Sequence, residues 1–131
     1  MRPNWRWTRI FAFLAGVALT TVPGAVADPV VADATRSRVE VSFLLGYVDG
    51  SSCRFYRNGS WYAPAAAVAH LRGKYARLSA RNQIGSAEDF IDKVATRSSL
   101  TGEEYAVRCA DGANVAAAAW LHAELERLRR Q

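Results

Sequence analysis

Cysteine is scarce in this chain: its 131 residues contain two, Cys53 and Cys109. They are too far apart for a Cys-x-x-Cys redox pair, and two cysteines with a histidine fall short of a four-ligand zinc site. A Gly-x-Ser-x-Gly elbow, a phosphate-binding P-loop and a dinucleotide fingerprint are all missing, so nothing in the sequence asks for a metal or a cofactor. Internal repeats and low-complexity linkers are missing as well. One long apolar run is present, from Ile10 to about Val22; it is shorter than the ~20 residues of a membrane-spanning helix and is closed by Pro23-Gly24.

The flanks of that run give it a role. Arg2, Arg6 and Arg9 precede it and Ala25-Val26-Ala27 follows, the layout of a cleavable Sec-type export signal. No cysteine follows the cleavage point to carry a lipid, and no Arg-Arg pair precedes the run for twin-arginine export. We therefore expect a periplasmic protein: residues 1–27 are removed, residues 28–131 form a single small domain, and the signal alone meets the membrane. Losing three arginines takes the formal charge from +5 to +2, too little to imply a nucleic-acid partner. In an oxidising compartment Cys53 and Cys109 read as a structural disulfide.

The most patterned stretch runs from Ser86 to Tyr105. Ser86 and Asp89 have capping-box spacing, and Ala87, Phe90, Ile91, Val94 and Ala95 fall on one face of a helix. After Arg97 comes the hydroxyl-dense loop Ser98-Ser99-Leu100-Thr101-Gly102, then Tyr105 to Cys109 alternates as a strand. Upstream, residues 28–32 read as a frayed end, and Asp33 as the cap of a helix from Ala34 to about Val48. That helix has apolar residues on two sides, which we assign to burial within the domain. Cys53 to Arg57 reads as a second strand, closed by the tight-turn pair Asn58-Gly59.

Pairing the two strands antiparallel with the cysteines opposed sets Phe55 against Val107 and Arg57 against Tyr105, so both apolar faces coincide. The same register sets Arg54 against Arg108, an unfavourable like-charge pair that asks for an acidic group or an anion, or for a different register. Trp61-Tyr62-Ala63-Pro64 leads into a helix with Val68, Leu71, Tyr75 and Leu78 on one side and His70, Lys74, Arg77 and Arg81 on the other. Asn114 reads as the cap of a last helix lined by Ala117, Leu121, Leu125 and Leu128. The Ala-rich runs at 65–67 and 116–119 read as good helix and nothing more. The expected fold is α+β, about four helices packed with a two-stranded antiparallel ribbon.

Four pieces of sequence coincide: Cys53-x-Phe55-x-Arg57-Asn58-Gly59-Ser60-Trp61, Ala69-His70-Leu71-x-x-Lys74, Ser86-Ala87-Glu88-Asp89-Phe90-Ile91, and Ser98-Ser99-x-Thr101-Gly102-x-x-Tyr105. Together they resemble the YfeK-like family of small exported bacterial proteins, the domain of unknown function numbered 5329, over about residues 33–129. The resemblance implies export to the periplasm and carries no established activity.

Function then rests on the residues. Arg57, Asn58, His70, Lys74, Ser98, Ser99 and Thr101 are polar groups that the fold could gather on one surface, suited to a carboxylate, phosphate or sugar group. The expectation is a non-catalytic module that binds a small anionic or polar ligand, or else a cell-envelope protein. The alternative is a small periplasmic hydrolase with His70 as base, Ser98 or Ser99 as nucleophile, and Glu88, Asp89 or Asp92 as the orienting carboxylate.

Overall fold

The computed structural model describes residues 23–131, together with Gly16, Ala18 and Thr21. The export signal read in residues 1–27 falls for the most part outside the described residues.

Helix α1 spans Pro29–Asp49 and starts earlier than expected. Asp28 Oδ1 accepts a hydrogen bond from the Val30 backbone at 2.9 Å, and Pro29 presets the first helical φ. Capping alone starts this helix. Its first turns bury nothing, with Val30 and Val31 exposed, so no apolar periodicity marks them in the sequence. Farther along, Val41, Leu44, Leu45 and Val48 are buried, and Phe43 and Tyr47 pack against the core from the side while Val39 remains exposed.

Strand β1, Cys53–Arg57, turns back at Asn58 and Gly59, whose φ angles of 48° and 85° make a left-handed two-residue turn. Residues 60–62 form strand β2, Ser60–Tyr62, with Phe55 opposite Tyr62 and Tyr56 opposite Trp61. Trp61 and Tyr62 therefore belong to the sheet and do not start the next helix. Helix α2, Pro64–Ser79, follows with proline in its first turn.

Helix α3 is short, Ala87–Phe90, and continues as a π-helical turn over Ile91–Ala95. Ser86 Oγ accepts from the Asp89 backbone at 3.0 Å, while Asp89 reaches back to the Gly85 N–H at 2.9 Å. Ala87, Phe90, Ile91, Val94 and Ala95 are all essentially inaccessible to solvent, so the stretch with the clearest periodicity is the centre of the core. The widened turn is bonded at its end: Thr96 donates its hydroxyl to the Ile91 carbonyl at 2.8 Å.

Strand β3, Ala106–Cys109, pairs with β1 in the register set by the cysteines: Cys53 opposite Cys109, Arg54 opposite Arg108 and Phe55 opposite Val107. Cys53 and Cys109 are disulfide-bonded, with Cα atoms 4.1 Å apart. The ribbon has four strands, not two. A two-residue strand β4, Val115–Ala116, adds to β3, giving the order β2-β1-β3-β4. Two- and three-residue strands are too short to show alternation, which is why the sequence hides them. Helix α4, Ala117–Arg129, leaves β4 directly. Asn114 does not cap it; the Asn114 side chain instead accepts from Arg108 Nε at 2.7 Å.

The four helices lie together, with α1 against α2, α3 and α4, while α2 packs on β1 and α4 on β3. Cys53, Phe55 and Val107 point into this layer, and Arg54, Tyr56 and Arg108 point away from it. Arg129 fastens three helices: its guanidinium donates to both Glu40 oxygens at 2.9 and 2.8 Å and to Glu88. These bonds hold the Glu40 and Glu88 carboxyls below their ordinary range, with the Arg129 hydrogen bond the largest cause in each.

Candidate functional site

Small side chains make room inside this fold. Between the β1–β2 hairpin, α2 and α4 lies a cavity of about 40 Å³, bordered by Ala66, Ala67, Ala95, Ala106 and Ala117 and by the aromatic rings of Phe55 and Trp120. At roughly 10–15 Å³ per water it holds a few waters or a small apolar fragment, not a whole metabolite. The alanine runs thus contribute space as well as helix propensity. Tyr47 stacks on Trp120 at 4.5 Å and Phe55 meets the same indole edge-on at 5.8 Å.

Arg57, His70 and Tyr105 also line the cavity, and Lys74 lies beside Tyr105. Arg57, on the helix-facing side of β1, lies over the Tyr62 ring with 4.9 Å to its centroid. His70, nearly two turns into α2, shares a 3.0 Å hydrogen bond between Nε2 and the Tyr105 hydroxyl. One turn farther, Lys74 is buried at 5% exposure, donates to the Arg97 carbonyl at 2.7 Å and sits 5.4 Å from the Tyr105 ring centroid. The π-helical turn and the bend after it aim that carbonyl inward. Lys74 is therefore not part of a solvated basic back of α2. Its long stem crosses apolar surface while its head finds a backbone acceptor.

Electrostatics at this point has one sign. Burial lowers the His70 pKa, and Arg57, Lys74 and Arg77 lower it further. The three charged side chains that lower it are all cations. Burial likewise lowers the Lys74 pKa, with Arg77 adding to it, and raises the Tyr105 phenol against the opposing charge of Arg57.

A second polar group lies beside the first and is bonded to itself. Ser98, 4% exposed, accepts from Asn58 Nδ2 at 3.1 Å and from the backbone N–H groups of Leu100 and Thr101 at 3.2 and 3.3 Å. Thr101 donates its hydroxyl to Asn58 Oδ1 at 2.7 Å. Gly102 closes the loop at φ +73° and donates its N–H to the Ser98 carbonyl at 2.9 Å. The loop is thereby locked onto the β1–β2 turn.

The model of a family of unknown function, DUF5329, matches residues 35–129. The chain belongs to that family. A stretch of 51 residues is 51% identical to the protein named Uncharacterized protein YfeK of Salmonella typhimurium (strain LT2), covering 39% of this chain and 41% of that protein. The aligned part is thus about two-fifths of the relative's length. No solved structure matches.

In this DUF5329 chain the seven candidate residues divide by what they touch. His70 and Lys74 meet at Tyr105, while Arg57 lies over Tyr62 and lines the same cavity as His70; Asn58, Ser98 and Thr101 bond to one another; Ser99 is exposed on the loop. Sequence reasoning missed Tyr105 as a site residue, although its position two residues before Val107, on the helix-facing parity of β3, was a usable signal. It also missed Tyr62 and Trp120.

The three hydrolase roles fall to separate networks. His70 bonds Tyr105, Ser98 Oγ is occupied by three donors, and the acids lie elsewhere: Glu88 on Arg129, Asp89 on Lys93 at 2.8 Å, and Asp92 on His122 at 3.0 Å. Among the described residues no group of three or more His, Cys, Asp or Glu side chains could hold a metal ion, and no helix is long and apolar enough to cross a membrane.

Proposed function

We propose that this protein is exported to the periplasm by the Sec-type signal of residues 1–27 and acts there as a non-catalytic binding module for a small anionic ligand. The ligand's acidic group meets Arg57 and His70, and a compact apolar end enters the alanine-lined cavity. The observation that carries this reading is that Arg57 and His70 both line an otherwise apolar cavity. Clefts of this kind bind by apolar burial and are oriented by a few charged groups. Support for export comes from the cationic, apolar and small-residue segments of the N-terminus and from the paired cysteines.

The test is a thermal-shift and calorimetric screen of oxidised residues 28–131 against small straight-chain and branched aliphatic carboxylates and phosphate esters, since ligands of the native state raise its melting temperature. A saturable shift is expected, and Arg57→Ala removes it while the unliganded melting temperature changes little. If no compound shifts the protein, the small-ligand reading fails and an envelope protein presenting an acidic side chain becomes the partner to seek.

A further inference from the structure

The sheet's outer face carries a charge pattern unrelated to the cavity behind it. Arg54 on β1 and Arg108 on β3 are direct cross-strand partners, both exposed. Side chains so placed have Cβ atoms roughly 5 Å apart, where like charges destabilise the ladder. Sheets ordinarily answer such a pair with a neighbouring carboxylate. Here the adjoining row reads Trp61, Tyr56, Ala106 and Ala116 across the four strands, and the residue beside Arg108 toward β4 is Asn114. None is acidic. The carboxylate that reaches this face, Glu103, takes the Tyr56 hydroxyl at 2.6 Å, and among the described residues neither Arg54 nor Arg108 makes an ion pair.

Arg108 is also held ready. Its guanidinium lies 4.2 Å from the Trp61 ring centroid and its Nε donates to Asn114, so the plane is fixed while the terminal nitrogens make no hydrogen bond among the described residues. Tyr56 packs against Trp61 at 5.4 Å and steadies the indole. A fixed guanidinium fork opposite a second arginine is the geometry that grips an oxyanion through several charge-assisted hydrogen bonds.

We propose that Arg54 and Arg108 form an anion-binding site for a phosphate or carboxylate group on the outer face of the sheet, distinct from the cavity site. Binding cancels the like-charge repulsion of the ladder, so the occupied site stabilises the domain. The group arrives either as a free anion or carried on a saccharide whose ring contacts the Trp61–Tyr56 edge.

Titrate the oxidised domain with inorganic phosphate, glucose 1-phosphate and glucuronate at constant ionic strength, and follow the Trp61 indole and arginine Nε–H resonances by NMR. Saturable shifts confined to Trp61, Arg54 and Arg108 are expected. Arg54→Gln then weakens binding about tenfold or more, as losing a charge-assisted contact should. Equal affinity for inorganic phosphate and the sugar phosphate identifies the free anion; tighter binding of either saccharide identifies the carried group. As a second variant, Arg54→Glu supplies the missing carboxylate internally: it abolishes binding and raises the melting temperature. Absence of saturable shifts with all three probes, or an unchanged affinity in Arg54→Gln, overturns the site.

Discussion

Lys74 holds the Arg97 carbonyl at 2.7 Å with its head almost out of water, so shortening it strands an acceptor. Lys74→Met keeps the stem and removes the donor; it should cost about 1–3 kcal/mol in urea unfolding, the usual penalty for a charged partner lost from a buried hydrogen bond. His70 makes a pH argument. Its folded pKa lies below its unfolded value of about 6.5, so the unfolded chain takes up the proton first as pH falls. Its contribution to stability is whole above about pH 6.5 and is lost as pH drops through the folded pKa. His70→Gln should flatten that acid limb of the stability profile, and anion affinity at Arg57 should rise as His70 becomes charged. These roles were half legible. Periodicity located His70 and Lys74 one turn apart on α2, but the burial of Lys74 depends on a carbonyl 23 positions away that no helical pattern reports.

At the scale of elements, the Ser98 loop and the β1–β2 turn form one unit. Ser98→Ala removes the acceptor shared by Asn58, Leu100 and Thr101 and should cost about 1–3 kcal/mol, checked by thermal unfolding. Exposed Ser99→Ala, by contrast, should be neutral within about 0.5 kcal/mol. The difference separates a hydroxyl that builds the loop from one that decorates it, a distinction that Ser-Ser-x-Thr-Gly cannot make as sequence. The β1–β3 register was legible because the cysteines and the two-residue pleat each fix it, and they agree at Phe55 and Val107. The start of α1 was not, because Asp28 and Pro29 begin it before any residue is buried. The π-helical turn at Ile91–Ala95 was hidden too: its apolar residues keep the spacing of an ordinary helix.

Across the whole molecule two long-range fastenings close the fold. Arg129 joins α4 to α1 over a separation of 89 residues, and the disulfide joins the two central strands over 56. A loop of that length confers about 4 kcal/mol in the chain-entropy model, much of the stability of a small domain. The Cys53→Ser/Cys109→Ser protein should lose about that amount relative to the oxidised form, measured by urea denaturation; equal midpoints would refute the assignment. The cysteines also make residues 53–109 a covalent ring. The tip of the Ser98–Gly102 loop, with Leu100 92% exposed, is a point on that ring open to a protease. A single nick there frees no fragment: the severed pieces migrate as one species without reductant and as two with it. The domain can therefore survive one cut in its polypeptide without losing either half.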